Sequence, residues 1–461
     1  MRGRLEGVKQ VQQEQRADDA SCFDQRAAAL FGFSVEGGVQ AQTQAKQCAH
    51  VAQEAGKGRS VQVDPLWPDA PLLGFLHGPQ QVHTQSFEQH IEANSEGASS
   101  SERGLGCDIM DLLHSWGVEL AVYLQTRYGK YEGLFDLAST VADLHTTFFW
   151  LFPIWFHLRR DTALRLIWVA VIGDWLNLVL KWVLFGERPY WWVHETKFYG
   201  AGPAPSLQQF PITCETGPGS PSGHAMGAAG VWYVMVTALL SIAREKQCPP
   251  LLYRFLYIGL WMLMGLVELV VCMSRVYMAA HFPHQVIAGI ITGTLVAEVV
   301  SKEKWIYSAS LKKYFLITLF LTSFAVGFYV LLKALDVDLL WTMEKAQKWC
   351  IRPEWVHLDS APFASLLRNM GSLFGLGLGL HSPFYKTTKM KSMNVSFRIG
   401  CIVISVSLLH LLDGWTFSPE NHMTFYALSF GKSAIALLIP TTLVPWALSK
   451  IYPVKTEGKN L

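Results

Sequence analysis

The chain has 461 residues, of which 51% are hydrophobic and 13% aromatic, including 17 Trp and 26 Phe. This composition excludes an ordinary soluble enzyme of the same size and favours a membrane protein. The 38 Lys and Arg residues nearly balance the 36 Asp and Glu residues, so the net charge indicates no nucleic-acid partner.

Residues 1–109 differ in composition from the rest of the chain. Gln, Ala, Gly, Ser and Glu dominate them, and they contain neither a long apolar run nor a signal-peptide core. Met110 opens the stretch Met-Asp-Leu-Leu-His-Ser-Trp-Gly, which has the form of a natural start. We therefore interpret residues 1–109 as a disordered or artefactual N-terminal extension, and residues 110–461 as the membrane-embedded domain.

From about Glu132 onward, the chain contains nine apolar runs that are long enough to cross a hydrocarbon core of roughly 30 Å as helices. The predicted runs are 132–156, 163–185, 224–243, 253–273, 284–300, 314–333, 360–380, 398–415 and 425–449. Lipid gives the backbone no hydrogen-bond partners, and the runs lack the alternation of barrel strands, so only helices fit. The predicted fold class is therefore all-α, a polytopic membrane protein with about nine transmembrane helices.

Basic residues concentrate in alternate loops and so predict the orientation of the helices. This set comprises Arg159, Arg160, Arg165, Arg244, Lys246, Arg254, Lys302, Lys304, Lys312, Lys313, Lys386, Lys389, Lys391, Arg398, Lys450, Lys455 and Lys459. The positive-inside rule places these loops and the C-terminus in the cytoplasm. The single sequon, Asn394-Val-Ser396, falls on the same side and is expected to stay unglycosylated.

Two polar clusters flank the loop between the second and third runs. Lys181 and Arg188 lie seven residues apart, two helical turns, and project from one face if the helix persists. The segment Cys214-Glu-Thr-Gly-Pro-Gly-Ser-Pro-Ser-Gly-His then leads into the third run, with Ser222 as a natural N-cap, Gly223 and His224. A helix start of this kind can bind an oxyanion. Taken singly, however, the cations could reach lipid headgroups and the loop could be a capped turn.

A third cluster, Ser274-Arg275-Val-Tyr-Met-Ala-Ala-His281-Phe-Pro-His-Gln285, joins the fourth and fifth runs. Its two histidines lack the companion ligands of a zinc site, so no metal is predicted. Two spans separate this loop from the previous one, which puts all three clusters on the same, lumenal face. Three cations and two histidines on the face where few cations are expected indicate a site for an anion of high charge density, such as phosphate.

The three clusters resemble the pattern of the type-2 phosphatidic acid phosphatase superfamily. Several segments are more specifically similar to the glucose-6-phosphatase catalytic subunit family: Trp168-Val-Ala-Val-Ile-Gly-Asp-Trp-Leu-Asn, Arg188-Pro-Tyr-Trp-Trp-Val, the loop before His224, Ala280-His-Phe-Pro-His-Gln, Ser310-Leu-Lys-Lys-Tyr-Phe-Leu and Pro362-Phe-Ala-Ser-Leu-Leu. The resemblance covers about residues 110–461. It implies hydrolysis of glucose 6-phosphate at the lumenal face of the endoplasmic reticulum, without a cofactor and with functional coupling to a sugar-phosphate transporter.

The resemblance also implies residue roles. His281 becomes the nucleophile that forms a phosphohistidine, and His224 protonates the departing sugar oxygen and then activates water. The remaining site residues clamp the phosphoryl oxygens or help to do so: Lys181, Arg188, Arg275, Ser222 and Gly223.

One departure from the wider superfamily concerns the group that orients the nucleophile. Many members carry Asp four residues after the nucleophilic histidine, whereas this chain has Gln285. An amide oxygen can accept an imidazole N–H but cannot stabilise an imidazolium as a carboxylate does. Asp143 or Asp174, both in predicted spans, are the alternative sources of that charge.

Other readings and details stay open at this stage. A lipid phosphate phosphatase would carry the same clusters on fewer spans, and a weakly active paralogue or a sugar-phosphate binding or transport protein would keep them for another role. The sequence does not decide whether Cys214 and Cys350, placed on the same side of the membrane, form a disulfide. Only Lys459 remains of the C-terminal dilysine retrieval signal usual in the family, which leaves the retention route open.

Overall fold

The structure is a computed structural model that describes residues 105–200, 202–357, 361–389, 395–417 and 421–451. Within these ranges the chain is helical and contains no β-strand, which confirms the predicted all-α class. The helices are α1 Leu105–Tyr128, α2 Glu132–Ala142, α3 Leu144–Thr146, α4 Phe152–Leu158, α5 Arg160–Leu184, α6 Pro189–Glu195, α7 Gly223–Glu245, α8 Pro250–Tyr277, α9 Pro283–Lys302, α10 Leu311–Ala334, α11 Trp341–Trp349, α12 Pro362–His381, α13 Pro383–Lys389, α14 Val395–Asp413, α15 His422–Leu438 and α16 Val444–Ile451. Residues 1–104, Asn394 and Lys459 lie outside the described ranges, so the expectations for them stay predictions.

Seven helical segments in the described ranges are long and apolar enough to cross a membrane. They are Arg160–Glu195, Gly223–Glu245, Pro250–Tyr277, Pro283–Lys302, Leu311–Ala334, Val395–Asp413 and His422–Ile451. Each corresponds to one of the nine predicted apolar runs. Only 17% of the most apolar window of α8 and 22% of that of α10 are buried inside the protein. The exposed apolar side chains of these two helices fit contact with lipid.

The predicted count of nine spans is not confirmed. The first predicted run, 132–156, is divided because the backbone leaves the helix at Asp143, whose φ and ψ are −69° and 135°. The Asp143 carboxylate accepts a hydrogen bond from the His145 N–H at 2.9 Å and so starts α3. The seventh run forms the 20-residue helix α12, but its Gly, Ser, Asn and Arg residues lower its hydropathy, and it is not among the seven segments.

The helices that carry the three polar clusters pack closely. Gly289 and Gly293 of α9 face α7, where a Cβ at Gly293 would lie 2.1 Å from the carbonyl oxygen of Met226. Small residues four apart let the two backbones approach within van der Waals contact, as in many membrane helix pairs. Because consecutive spans run in opposite directions, the end of α5, the start of α7, the end of α8 and the start of α9 meet at one end of the bundle.

Candidate active site

The three predicted clusters converge at this end of the bundle. We call the group formed by Lys181, Arg188, Ser222, His224, Arg275 and His281 the anion cradle. The side chains of Arg188, Ser222 and Arg275 are fully buried, and that of His281 is nearly so. Fixed cations in a buried site interact with an anion more strongly than they would in water.

Arg188 ties the two loops of the cradle together. Its Nε donates to the carbonyl of Gly217 at 2.7 Å, and its Nη1 donates to the carbonyl of Ala280 at 3.1 Å. Gly217 belongs to the loop before α7, whereas Ala280 directly precedes His281. The guanidinium therefore fixes the loop that carries His281 against the opposite wall, while its Nη2 faces the centre of the cradle.

Arg275 approaches the same centre from the end of α8. Its Nη1 donates to the hydroxyl of Ser139 on α2 at 2.5 Å. Its Nη2 lies 3.5 Å from Oε1 of Glu215, while Nη2 of Arg188 lies 3.0 Å from Oε2 of the same carboxylate. Burial would raise the pKa of the Glu215 carboxyl, but Arg188 and Arg275 outweigh it and hold that pKa well below its ordinary value. Glu215 is therefore ionised between the two arginines.

His281 is held as a neutral imidazole. Its Nδ1 lies 2.7 Å from the carbonyl oxygen of Gly219, which can only accept, so Nδ1 carries the proton. Its Nε2 is buried without a hydrogen-bond partner among the described residues. Burial, and after it the positive charge of Arg188, keep the pKa of His281 well below 6.5. The lone pair of Nε2 is thus available to attack an electrophile in the cradle.

The three side chains considered for orienting the nucleophile have other partners. Gln285 accepts from the Phe282 N–H at 3.1 Å and donates to the Glu187 carbonyl at 2.7 Å, so it braces the loops and does not bond His281. Asp174 accepts hydrogen bonds from Ser365 and Asn369 of α12. Asp143 caps α3, as described above. The carbonyl of Gly219 takes the orienting role instead.

Gly219 can fill this role because it has no side chain. A Cβ there would lie 2.3 Å from the Glu187 carbonyl oxygen and 2.9 Å from the Gln285 amide. Its own N–H donates to the Gly186 carbonyl at 2.6 Å. Any other residue would push the loop away from His281 and move the acceptor of Nδ1.

His224 and Ser222 stand at the start of α7. Ser222 occupies the predicted N-cap position, but its hydroxyl makes no cap bond and is buried without a partner among the described residues. The same holds for Nε2 of His224, whose Nδ1 lies 3.7 Å from Oε1 of Glu215. Asn177 of α5 supports this loop by donating to the Pro221 carbonyl at 3.1 Å. The start of α7 thus presents a hydroxyl, an imidazole and backbone N–H groups to one point.

A cavity of about 600 Å³ opens beside the cradle. Lys181, Glu215 and His224 belong to its wall. Beyond the cradle, the wall includes Asp143, His145, Trp355, Asn369, Asp413 and Lys432. Carboxylates, an amide and an aromatic ring are the groups that bind a polar, hydroxylated molecule.

Two connections fasten the segment after α10 to the site. Cys214, directly before Glu215, forms a disulfide with Cys350, which settles the pairing that the sequence left open. Lys345 of α11 forms ion pairs at 3.0 Å with Glu187 and with Glu195 of α6. The loop that carries Glu215 is therefore anchored to a segment 136 residues away in the chain.

The structure brings the predicted histidines and cations together, and three further contributors were not predicted from the sequence. Glu215 lies inside the segment singled out for its glycines and prolines, and a carboxylate among predicted cations was the available signal. Gly219 acts through its backbone carbonyl, which a sequence does not reveal. Ser139, the partner of Arg275, lies in an apolar run with no distinguishing pattern.

Comparisons with known proteins find several that are similar to this chain. The family model of the PAP2 superfamily matches residues 162–309, the stretch that contains the whole cradle. Glucose-6-phosphatase catalytic subunit 1 of Haplochromis nubilus is 98% identical over 352 residues, which cover 76% of this chain and 100% of that protein. The protein of the same name from Canis lupus familiaris is 55% identical over 74% of this chain and 97% of its own length. Glucose-6-phosphatase 2 of Homo sapiens is 46% identical over 76% and 99%, respectively. No solved structure matches the chain.

Proposed function

The chain belongs to the glucose-6-phosphatase catalytic subunit family, and from this membership we propose that its anion cradle hydrolyses glucose 6-phosphate through a phosphohistidine at His281. The protein is a multi-pass membrane enzyme, a phosphoric monoester hydrolase. The observation that carries the proposed mechanism is the position of His281: its unprotonated Nε2 lies 3.9 Å from the Glu215 carboxylate, which pairs with the buried Arg188 and Arg275.

In the first step, Nε2 of His281 attacks phosphorus while the bond from phosphorus to the sugar O6 breaks. His224 gives its proton to O6, so glucose leaves as a neutral alcohol. Arg188, Arg275 and Lys181 balance the charge on the phosphoryl oxygens throughout this step. The Ser222 hydroxyl and the Gly223 N–H donate to the same oxygens.

In the second step, His224 accepts a proton from water, and the water oxygen attacks the phosphorus of the phosphohistidine. The bond from phosphorus to Nε2 breaks, and its electron pair returns to the imidazole of His281. Inorganic phosphate leaves, and both histidines recover their starting protonation. Three fixed cations supply the charge stabilisation that the reaction requires.

The sugar occupies the cavity beside the cradle. The cavity's volume of about 600 Å³ accommodates a hexose with water, and His224 stands on its wall where the departing O6 must be protonated. Asp143 and Asn369 offer acceptors and donors to sugar hydroxyls, and Trp355 offers an apolar face. In this placement the cradle binds the phosphate and the cavity binds the sugar, so that substitutions can affect one without the other.

The active site faces the lumen of the endoplasmic reticulum, and the C-terminus lies in the cytoplasm. The disulfide beside Glu215 supports this orientation, because disulfides form and persist in oxidising compartments. The ends of the same helices away from the site carry Arg159, Arg244 and Lys302, as the positive-inside rule requires. A lumenal site needs its charged substrate delivered across the membrane, which supports functional coupling to a sugar-phosphate transporter.

The direct test measures phosphate release from glucose 6-phosphate by the chain expressed from Met110, with lysophosphatidate as the competing lipid substrate. Brief mixing with radiolabelled glucose 6-phosphate and acid-free quenching should leave label on the protein. Loss of both turnover and label in His281→Ala supports the mechanism. Undiminished label in that variant would rule out His281 as the nucleophile.

A further inference from the structure

Glu215 occupies the centre of the anion cradle. Its two carboxylate oxygens lie 3.0 Å from Nη2 of Arg188 and 3.5 Å from Nη2 of Arg275. They also lie 3.9 Å from Nε2 of His281 and 3.7 Å from Nδ1 of His224. One acidic side chain thus faces both arginines and both histidines to which the reaction is assigned.

This position is the one that the reacting phosphoryl group requires. An attacking nitrogen and its phosphorus stand roughly 3–3.5 Å apart before reaction. Oε2 of Glu215 lies 3.9 Å from Nε2 of His281, so phosphorus and this oxygen would claim nearly the same space. A carboxylate and a phosphoryl group also offer similar oxygens to an arginine fork. The two anions therefore exclude one another from the cradle.

The partners of Glu215 distinguish it from the other acids near the site. Glu187 is paired with Lys345, and Asp174 is bonded to two side chains of α12, so neither faces the arginines. The Glu215 carboxylate has hydrogen bonds or ion pairs only with cradle groups among the described residues. Its side chain is 18% exposed and borders the 600 Å³ cavity, which gives it a path out of the cradle.

We propose that the Glu215 carboxylate is a placeholder that fills the phosphoryl position in the free enzyme and must withdraw into the cavity before substrate binds. The proposal rests on the assignment of the cradle as the phosphate site. A placeholder satisfies two buried guanidinium groups that would otherwise lack a counter-charge. The carboxylate then competes with the substrate and with inorganic phosphate for the two arginines.

This competition should lower the measured affinity of the cradle for an added anion. If the carboxylate fills the cradle about nine-tenths of the time, the apparent affinity for an added anion falls about tenfold. Glu215→Gln keeps the shape of the side chain but removes its charge, so the arginines no longer hold it. Inorganic phosphate should then bind at least about tenfold more tightly than to the wild type, whatever happens to turnover.

The experiment titrates inorganic phosphate and orthovanadate into purified full-length protein by calorimetry, with Asp143→Asn as the matched control. Asp143 borders the same cavity and loses the same charge, but it does not touch the arginines. Tightening of both anions in Glu215→Gln, and little change in Asp143→Asn, supports the placeholder. Equal tightening in both variants shows only a general charge effect and overturns it, as does unchanged or weaker binding in Glu215→Gln.

Glu215→Asp covers the case in which the amide variant does not fold. The shorter side chain retracts the carboxylate from both arginines, so phosphate should again bind more tightly, and weaker binding would refute the proposal. The outcomes are independent of those for His281. Label that persists in His281→Ala removes the proposed mechanism, whereas unchanged phosphate affinity in the Glu215 variants removes only the placeholder.

Discussion

The anion cradle and the cavity beside it are neighbours built in different ways. In the cradle, Arg188 and His281 are buried, and backbone carbonyls fix both side chains. In the cavity wall, Asp143 and His145 are exposed, and Trp355 is half-buried. A buried, fixed group suits stabilisation of a transition state, whereas an open, polar wall suits recognition of a hydroxylated leaving group. Changes in the cradle should therefore reduce kcat strongly, and changes in the cavity should raise KM modestly.

Replacement of His281, the proposed nucleophile, gives the largest expected contrast between the two regions. His281→Ala should lower kcat by at least about a thousandfold, because no other imidazole of the described residues has a ring nitrogen at the same point. The phosphoryl label on the protein should disappear at the same time. Phosphate release by purified protein and radiolabel trapping measure the two effects.

His194→Ala is the matched control for this variant. His194 is exposed on α6 and stacks on Trp349, and it is not one of the cradle residues. It should keep both label and turnover. A comparable loss in the control would mean that general destabilisation, not removal of the nucleophile, explains the effect.

Replacement of a cradle arginine should have the second-largest effect. Arg188→Lys keeps one positive charge but loses the fork that bonds Gly217 and Ala280 while facing the centre of the cradle. We expect kcat/KM to fall by about 10²–10³, the cost of removing one fixed donor to a developing charge. Initial rates over a range of glucose 6-phosphate concentrations measure it.

Arg254→Lys provides the control, because Arg254 is exposed at the opposite end of the bundle. If Arg188→Lys retained full activity, the charge alone would matter, and the contrast between a rigid cradle and an open cavity would lose its main support. If both variants lost activity equally, the loss would not belong to the cradle.

Part of the candidate site and of the fold could be predicted from the sequence. His224, Arg275 and His281 were predictable because Gly, Pro and cations at helix ends leave a clear pattern. The part played by Glu215 was not, since a loop carboxylate near several cations can pair with any of them. The helix break at Asp143 was not predicted, because hydropathy averages the side chains of 132–156 and contains no information on backbone dihedral angles.

On the cavity side, Trp355→Ala tests recognition of the sugar. Trp355 borders the cavity, and Arg352 stacks on its ring at 5.1 Å. Loss of the ring should raise KM for glucose 6-phosphate by up to about tenfold, equivalent to about 1.4 kcal/mol. Product inhibition by inorganic phosphate should stay as in the wild type, because phosphate needs only the cradle.

Trp355→Phe keeps an aromatic face and should recover most of the affinity for glucose 6-phosphate. The comparison of KM for the substrate with the inhibition constant for phosphate separates the two regions. An equal weakening of both ligands in Trp355→Ala would show that the cavity and the cradle are not separable.

The smallest effect concerns pH and the stability of the folded protein. His281 has a folded-state pKa well below 6.5 because of burial and the positive charge of Arg188, so it stays neutral where an unfolded chain takes up a proton. Below pH 6.5 the unfolded state binds more protons, and the free energy of unfolding falls as pH falls. One such group contributes at most about 1.4 kcal/mol per pH unit. Glu215 adds nothing in this range, since its lowered pKa matters only in stronger acid.

Thermal unfolding in detergent between about pH 7.5 and pH 5.5 measures this contribution. The wild type should lose more Tm on acidification than His281→Asn, whose amide can still donate to the Gly219 carbonyl but does not titrate. The same comparison tests whether burial keeps water away from His281. A variant that lost as much Tm as the wild type would mean that His281 titrates normally, and the imidazole would then be as accessible to water as the cavity wall.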